Sequence, residues 1–556
     1  MQNNKAVADI LNDISKIKQS KGDNKFSIGA YRKAAMFVSN LSSPIEDLDL
    51  DNTKGIGPKI ANHIKEFLQT QKVQFIEDNR DCLAPTVRIS QLTKIEGIGD
   101  KTALKIEQEL NITTVEDLKK AVDDGRLAQI FKEKTIENIK KGIEYVEKTR
   151  GRIRLDQGIE MAMKIYHYMK PFVENIEFCG SIRRSRETVG DIDVAITSTN
   201  SEVLRKFETM PIVDKIIDSG DKKSSIWIDG VRVDCYVFKK EFFESGVMHL
   251  TGCAGHNERL RAIAKSKGMI LSQYGLYRRG PNDERTDERI DDGTEKGIYK
   301  ALGFEWIPPE HREDHEEYTK YQLGKVVPLL TKNDIEYDMH IHSVYSDGTS
   351  TIEDNIKFAI EKGLKGIAIC DHSQGLKIAK GLLPETLQKK NKEIDELRIK
   401  YPNIRIFKGA EVDIKSDGTL DYPDEVLDTL DFVVAAIHTH TKKDVTEAYK
   451  KVIQSGKVNT IAHITGRYIH EREGHVFNLE EVLQECKKYN VAIELNCQPK
   501  RLDANEQILK RCKSLGIKIT FASDAHEKGQ IVYTKSFGFW IAKRAWLTKD
   551  DLWRPE

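Results

Sequence analysis

Residues 178–196 read FCGSIRRSRETVGDIDVAI, which is a turn, a basic cluster and then an acidic strand. Side chains alternate between the two faces of an extended strand. Asp191 and Asp193 are therefore expected on one face, with Ile192 and Val194 in the core. Two carboxylates at this spacing predict a clamp for a cation.

A third carboxylate follows about forty residues later, where residues 226–234 read IWIDGVRVD. The pattern predicts a β-hairpin through an Asp-Gly turn, with Asp234 opposite the buried valines. If this hairpin lies beside the first strand, Asp191, Asp193 and Asp234 converge. Three unpaired carboxylates would repel one another unless a hard cation such as magnesium binds them. The alternative for this half alone is a solvated acidic strand edge.

The turn before the acidic strand offers groups that suit phosphate oxygens. Gly180 opens the backbone, Ser181 supplies a hydroxyl, and Arg183 and Arg184 supply guanidinium groups. An ordinary arginine-rich turn is the alternative for this half alone. A cation clamp beside a phosphate cradle predicts nucleotidyl transfer.

These residues resemble the nucleotidyltransferase superfamily, and in particular the X-family DNA polymerases. The shared pattern is Gly-Ser, a spacer, Gly-Asp-hydrophobic-Asp, and a third Asp on a later strand. The resemblance implies that Asp191 and Asp193 hold two magnesium ions. It also implies that Asp234 binds the catalytic ion and helps to deprotonate the primer 3′-hydroxyl, and that Ser181 and Arg184 bind the outgoing pyrophosphate.

Length and composition predict several compact units in a soluble globular protein. The chain has 556 residues, of which 32% are charged and 39% hydrophobic, and its 88 basic and 88 acidic residues cancel. Binding to a polyanion must therefore be local. A polar, acidic start and the lack of long apolar runs predict no secretion signal and no membrane contact. Eight dispersed cysteines favour reduced thiols and a cytoplasmic location.

The first 150 residues contain a repeated turn. Residues 53–61 read TKGIGPKIA and residues 95–103 read IEGIGDKTA, each between helical patterns. Such turns bring backbone N–H groups at a helix N-terminus close to a phosphate. They resemble the helix-hairpin-helix motif, although a plain helix–loop–helix turn is the alternative for one copy. The predicted DNA contacts are Gly55, Gly57, Lys59, Gly97, Gly99 and Lys101.

The resemblance to X-family polymerases extends over this region. Family members often remove a 5′-deoxyribose phosphate through a Schiff-base lysine on the helix after the first hairpin. His63 stands at that position, and an imidazole cannot form the imine. Lyase activity is therefore not expected there, with Lys59 or Lys65 as inefficient substitutes.

Residues 246–261 read GVMHLTGCAGHNERLR and match the family stretch that lines the incoming nucleotide. The resemblance assigns nucleotide contacts to Gly180, Ser181, Arg184, Thr251, Gly252, Asn257 and Arg261. The sequence departs from the family pattern at His249, where an aromatic residue is usual, and at Cys253 and Ala254. These departures bear on sugar discrimination and nucleotide affinity.

A second set of polar residues follows short apolar runs in the C-terminal half. His340 and His342 alternate on one predicted strand, and Asp371 with His372 follows another. Alternating strands and helices with polar residues at the carboxyl ends of the strands predict a barrel with a site on its rim. Mixed imidazole and carboxylate ligands suit manganese, zinc or iron and the hydrolysis of phosphate esters. His470 and His475 are interpreted as loop residues, and His440 stays ambiguous.

These motifs resemble the polymerase and histidinol phosphatase (PHP) domain, a distorted barrel of usually seven strands with a three-metal site. The resemblance implies nine ligands: His340, His342, Asp347, His372, Glu411, His438, His463, Asp524 and His526. In bacterial and archaeal X-family polymerases this domain supplies 3′–5′ exonuclease activity, and sometimes abasic-site endonuclease or 3′-phosphatase activity.

The predicted fold is therefore multidomain. It comprises α-helical N-terminal domains with helix-hairpin-helix motifs, an α+β nucleotidyltransferase palm and thumb, and a C-terminal (β/α)7-type PHP barrel. The predicted boundaries are 1–85 (lyase-like), 86–150 (fingers-like), 151–245 (palm), 246–315 (thumb-like), 316–333 (linker) and 334–556 (PHP).

The expected function is DNA repair by a monomer with two sites. One site fills gaps in gapped or primed DNA with dNTPs and magnesium, and the PHP domain supplies metal-dependent 3′–5′ exonuclease or DNA phosphoesterase activity. Two alternatives stay open. One is a DNA-binding scaffold with a weakened polymerase site, suggested by His249, Cys253 and Ala254. The other is a small-molecule phosphatase, which rests on the C-terminal half alone.

Overall fold

The computed structural model describes the chain except for residues 1, 22, 40–44, 46–47, 51–52, 54–55, 71–72, 79–91, 93–94, 96–97, 99, 111, 113–114, 149–151, 314–315, 440, 442 and 556. It divides into two units, Met1–Arg150 and Gly151–Glu556. No helix in the described part of the chain combines the length and the apolar character needed to cross a bilayer.

The first unit is helical, as predicted. Apolar side chains at helix spacing, such as Leu11 and Ile14, are fully buried in one cluster, and Ile106 and Leu118 belong to another. The described α-helices are Gln2–Ser20, Lys25–Ser39, Pro58–Thr70, Gln74–Glu77, Asp100–Leu110, Val115–Asp123 and Glu133–Lys148.

The second unit begins with an α+β region, the palm. Its strands are β1 (Ile153–Arg154), β2 (Asn175–Phe178), β3 (Thr188–Val189), β4 (Asp191–Thr197), β5 (Lys215–Ser219), β6 (Lys223–Ile228) and β7 (Val231–Val237). Among the described residues β2, β4, β7, β6 and β5 form a sheet in that order, and β1 pairs with β3. The helices are Leu155–Met169, Gly180–Arg183 and Val203–Glu208.

The predicted hairpin is confirmed. Strands β6 and β7 are antiparallel, and both Asp229 and Gly230 have positive φ, at 49° and 73°, as a two-residue Asp-Gly turn requires. Strand β7 then lies parallel to β4, with Asp193 directly opposite Asp234. This register brings the third carboxylate to the first two.

A thumb-like region follows. Its three antiparallel strands are β8 (Met269–Ser272), β9 (Gly275–Arg279) and β10 (Arg285–Arg289). Its helices are Phe243–Thr251, Ala254–Ser266, Glu295–Ala301 and Glu317–Lys320. Tyr318 and Tyr321 belong to the core of this region, although they lie in the predicted linker.

The C-terminal region is the predicted barrel. Its described strands, each parallel to the next, are β11 (Tyr337–Ile341), β12 (Gly366–Ile369), β13 (Arg405–Asp413), β14 (Phe432–Ala436), β15 (Thr460–Ile461), β16 (Ala492–Asn496) and β17 (Ile519–Ala522). The His342 N–H donates to the Ala525 carbonyl at 2.9 Å, so the first strand meets the last. The helices are Ile352–Glu361, Pro384–Lys400, Asp424–Leu427, Thr446–Gln454, Leu479–Tyr489, Glu506–Leu515 and Phe539–Arg544.

Residues 537–546, here called the C-terminal segment, contact the thumb-like region through the buried His311. The His311 ring stacks on Trp546 with ring centroids 3.7 Å apart. Its Nε2 donates to the Lys543 carbonyl at 2.6 Å, so Nδ1 accepts from the Tyr321 hydroxyl at 2.7 Å. Burial lowers the pKa of His311 to about 3, against the opposing effect of the Lys543 carbonyl.

Acid is therefore expected to destabilise this contact. The pKa of His311 in the folded protein lies below its ordinary value of 6.5. Between these two pKa values the unfolded chain binds a proton that the folded chain does not. Stability is therefore lost as the pH falls below 6.5. Between pH 7 and pH 5 the free energy of unfolding should fall by about 2 kcal/mol more in the wild type than in His311→Gln. All five tryptophans lie in the second unit, so tryptophan fluorescence in denaturant reports on it. Equal pH slopes for the two proteins would contradict this.

Candidate active sites

The first candidate site is the acidic edge of the palm. Asp191 is exposed at the start of β4, Asp193 is partly buried, and Asp234 is 7% exposed on the adjacent β7. Ile192 and Val194 are fully buried on the opposite face, as the alternation predicted. The three predicted carboxylates therefore lie together.

The charges at this edge are only partly balanced. Burial, followed by the charges of Asp191 and Asp234, raises the pKa of Asp193 to about 7. Burial also acts to raise the pKa of Asp234, but hydrogen bonds from Arg232 at 2.9 Å and Lys223 at 2.8 Å outweigh it and lower that pKa. Asp234 is therefore not an unpaired carboxylate, because Arg232 on its own strand and Lys223 on β6 both pair with it.

A cleft of about 400 Å³ adjoins these carboxylates. The Ser181 hydroxyl is buried and has no hydrogen-bond partner. Arg184 donates from Nε to Glu313 at 3.0 Å and from Nη1 to the Thr251 carbonyl at 2.6 Å. The cleft is lined by Arg152, Gly180, Ser181, Arg184, Arg186, Asp191, Asp193, Leu250, Gly252, Cys253, Ala254 and Glu313.

The donor set fits divalent cations and phosphate. Burial, Asp191 and Asp234 raise the pKa of Asp193, and the same cleft is lined by Ser181, whose buried hydroxyl has no hydrogen-bond partner. Carboxylates are the ligands that magnesium prefers, and arginines and hydroxyls suit phosphate oxygens. Arg186, which belongs to the basic cluster of the sequence, and Arg152, which the sequence reasoning missed because it lies well before that cluster, add positive charge to the cleft. Arg183 instead pairs with Glu295 at 2.9 Å.

Gly180 is constrained both by its backbone and by its neighbour. It has φ of +60°, and a Cβ there would lie 2.7 Å from Oδ2 of Asp193. We expect Gly180→Ala to reduce the single-nucleotide extension rate by about tenfold or more, because the displaced carboxylate loses its alignment. Gly230→Ala is the matched control, since Gly230 has φ of +73° with nothing within 4 Å of its Cβ position. Equal activity in the two variants would contradict this interpretation of Gly180.

The thumb-like region places the predicted nucleotide contacts differently. Gly252 lines the cleft, and Arg261 is exposed. The Thr251 side chain is fully buried and donates to the Val247 carbonyl at 2.6 Å, and Nδ2 of Asn257 donates to the His249 carbonyl at 2.7 Å. In this arrangement Thr251 supports the cleft through its backbone carbonyl, which accepts a hydrogen bond from Arg184.

The hairpins of the first unit are described in part. Gly57 and Lys59 are exposed at the start of the helix Pro58–Thr70, with Ile56 buried beneath them. Gly55, Gly97 and Gly99 lie outside the described residues, as does the side chain of Lys101.

The residue at the lyase position is part of the helical packing. Nδ1 of His63 lies 3.0 Å from the Tyr31 hydroxyl, and its ring packs beside Phe75. Burial lowers the pKa of His63.

The second candidate site is a buried cluster on the barrel rim. His342 and His372 each belong to two groups whose ligand atoms lie within 4.8 Å of one another. The ninth predicted ligand, His463, lies with Nε2 3.0 Å from Glu411. The groups are His342, Asp347, His372 and His526; His340, His342 and Asp524; and His372, Glu411 and His438.

Some of the nitrogen atoms that could bind a metal in this cluster are buried without a hydrogen-bond partner. Nδ1 of His342 and Nδ1 of His463 are two such atoms. Oε2 of Glu411 lies 2.8 Å from Nδ1 of His372 and 3.3 Å from Nε2 of His340. Nε2 of His340 lies only 3.1 Å from Nε2 of His342. Imidazole nitrogens facing one another among carboxylates fit metal ions better than they fit protons.

The pKa values of the imidazoles diverge. Burial would lower the pKa of His340, but Glu411 and Glu494 raise it well above its ordinary value. Burial together with His372 and His526 lowers the pKa of His342 to about 4.

Supporting residues surround the ligands. Glu494 accepts from Nδ1 of His340 at 2.8 Å, and Asn496 donates to Asp524 at 3.0 Å. The sequence reasoning missed Glu494. Its position as a charged residue within the otherwise apolar start of β16 could have identified it. Asp371 accepts from the Ser343 N–H at 2.8 Å and the Ser346 hydroxyl at 2.6 Å, so it fixes the loop after His342. His440 lies outside the described residues.

Family comparisons cover most of the chain. A helix-hairpin-helix domain matches residues 2–73, and a SAM-like helix-hairpin-helix tandem matches residues 89–144. The DNA polymerase beta thumb matches residues 246–313, and the PHP domain matches residues 338–498.

Similar proteins span the chain in whole or in part. The DNA polymerase/3'-5' exonuclease PolX of Bacillus subtilis is 32% identical over 99% of this chain and 97% of that protein. The DNA polymerase lambda of Arabidopsis thaliana is 26% identical over 56% of this chain and 62% of that protein. A probable phosphatase of Caldicellulosiruptor saccharolyticus is 31% identical over 35% of this chain and 82% of that protein. The chain therefore belongs to the X family of DNA polymerases, among the members in which a PHP domain follows the polymerase core.

Proposed function

We propose that this protein is a DNA repair polymerase that fills short gaps and also hydrolyses DNA 3′ ends at a separate site. The observation that carries the first activity is the register of β4 and β7, which sets Asp193 opposite Asp234 beside an arginine-lined cleft. The second activity is carried by the nine-residue cluster on the barrel rim.

In the polymerase site, Asp191, Asp193 and Asp234 would hold magnesium. When bound, magnesium supplies positive charge to the attacking 3′-hydroxyl and to the leaving pyrophosphate. Arg232 and Lys223 keep Asp234 ionised, the state that can bind a cation and take up the hydroxyl proton.

The cleft beside these carboxylates would bind the triphosphate of a dNTP. Ser181 and Arg184 would hold its phosphate oxygens by charge-assisted hydrogen bonds. Asn257 and Arg261 are proposed to face the base and the template, and Gly252 to let the nucleotide approach the backbone.

In the hydrolase site, the nine imidazole and carboxylate ligands would hold up to three ions of manganese, zinc or iron. When bound, such ions would supply the positive charge that holds a phosphodiester and activates a water molecule. Glu494 accepts a hydrogen bond from His340, and Asn496 donates one to Asp524. These hydrogen bonds would orient the two ligands toward the metal ions. We propose DNA 3′ ends as the substrate, with abasic sites and 3′-phosphates as further substrates to test.

The helix-hairpin-helix turns are proposed to hold the DNA backbone through Gly55, Gly57, Lys59, Gly97, Gly99 and Lys101. We further propose a monomer in the cytoplasm. The described cysteines are all unpaired, and most are buried, which suits a reducing compartment.

A labelled one-nucleotide-gapped duplex, supplied with dNTPs and magnesium and then with manganese alone, tests both activities. Insertion of the templated nucleotide with magnesium and shortening from the 3′ end with manganese are expected. Binding to the gap without insertion would favour the DNA-binding scaffold. Turnover of histidinol phosphate without any action on DNA would favour the small-molecule phosphatase, which the match to a probable phosphatase keeps in view.

A further inference from the structure

A buried arginine from the PHP region contacts two residues that line the polymerase cleft, Arg184 and Glu313. Arg544, at the end of the helix Phe539–Arg544, is 2% exposed. Its Nη1 donates to the Arg184 carbonyl at 2.7 Å and to Glu313 at 2.9 Å. Its Nε and Nη2 donate to Glu506 at 2.9 Å and 2.6 Å. One guanidinium thus joins the two regions.

Glu313 is the point where this arginine meets the cleft. Its carboxylate accepts from Nε of Arg184 at 3.0 Å and from Arg186 at 3.3 Å, in addition to Arg544. It also lines the cleft itself. Burial acts to raise the pKa of Glu313, but Arg544, Arg184 and Arg186 together lower it. Glu313 is therefore a negative charge at the place where phosphate would bind.

Two consequences follow for a triphosphate. Glu313 and the Thr251 carbonyl fix Nε and Nη1 of Arg184, so they set the plane of that guanidinium. Arg544 donates to the same carboxylate and so helps to neutralise Glu313. Without Arg544, a partly unpaired carboxylate would repel the phosphates and compete for Arg184.

We propose that Arg544 is a positioning residue of the nucleotide site, supplied to the polymerase by the hydrolase region and acting through Glu313 and Arg184. The proposal deepens the proposed function and rests on it.

Apolar contacts dock the two regions without Arg544. Phe537 and Trp540 pack against the palm core, and Trp546 packs against the thumb-like core. Loss of the guanidinium is therefore expected to leave the C-terminal segment in place, so its effect on nucleotide binding can be measured in a folded protein.

The test compares Arg544→Met with Glu506→Gln in the full chain. Glu506→Gln weakens the same network on the hydrolase side but leaves the donors to Arg184 and Glu313. Arg544→Met should raise the KM for dNTP, and the Kd measured by titration with dNTP, by about tenfold with kcat within about twofold. Glu506→Gln should change neither by more than about twofold, and both variants should retain manganese-dependent hydrolysis.

A double variant shows whether Arg544 acts on nucleotide binding through the charge of Glu313 or only stabilises the fold. Adding Glu313→Gln to Arg544→Met removes the unneutralised charge and keeps an acceptor for Arg184. We expect its KM to return to within about threefold of the wild type.

The proposal is overturned if Arg544→Met keeps the wild-type KM, if Glu506→Gln weakens nucleotide binding as much, or if the double variant stays as weak as Arg544→Met. A wild-type protein that inserts no nucleotide would instead refute the proposed function.

Discussion

Replacing Asp193 with alanine will reduce primer extension by about three orders of magnitude or more, because a bound metal contributes several kcal/mol to the transition state. Asp193 lies opposite Asp234 in the strand register, and burial together with the charges of Asp191 and Asp234 raises its pKa to about 7. Hydrolysis of 3′ ends should stay within about twofold of the wild type. The measurement is extension of a gapped duplex with magnesium, beside degradation of the same DNA with manganese.

Asp218→Ala is the matched control for this prediction, because Asp218 is an exposed aspartate on β5 of the same sheet. It should leave extension unchanged. Extension that persists in Asp193→Ala, or loss of extension and hydrolysis together in a folded protein, would contradict the assignment of separate sites.

Replacing His342 with alanine has the converse effect. His342 is 1% exposed, belongs to two of the three ligand groups, and lies 3.2 Å from Asp524 through Nε2. Its loss should lower manganese-dependent degradation by about three orders of magnitude and leave extension within about twofold of the wild type. The content of bound metal per chain, measured by atomic emission, should fall as well.

His475→Gln serves as the control, since His475 lies in the same region but contacts the Ile437 carbonyl rather than the cluster. It should retain both hydrolysis and metal. An unchanged metal content in His342→Ala, or retained degradation, would remove His342 from the site.

The sequence predicted most of the fold because the decisive patterns are local. Alternation in β4 placed Asp191 and Asp193 on one face, and the Asp-Gly turn defined the hairpin that carries Asp234. The strand-end positions of the histidines predicted the barrel rim in the same way. The second site was assembled from residues far apart in the chain because the carboxyl ends of parallel strands meet on one side of a barrel.

The contacts that tune the sites could not be predicted, since they depend on the packing of distant segments. Lys223 on β6 contacts Asp234 on the paired strand β7. The separation of these two residues in the sequence does not indicate that they pair. Glu313 and Arg544 are separated by more than two hundred residues and meet only because the C-terminal segment lies against the polymerase. The individual site residues remain predictions that the variants above test, and the domain boundaries remain predictions as well.

The C-terminal segment also limits how such a protein can be divided or recombined. Phe537, Trp540 and Trp546 pack against the cores of the palm and the thumb-like region, although they follow those regions by more than two hundred residues in the chain. A gene cut between residues 316 and 333 would yield a polymerase half with uncovered apolar surface, in which Glu313 keeps Arg184 and Arg186 but loses Arg544. Exchange of the hydrolase for an unrelated nuclease would have to retain this segment, so the two halves are constrained to be inherited together.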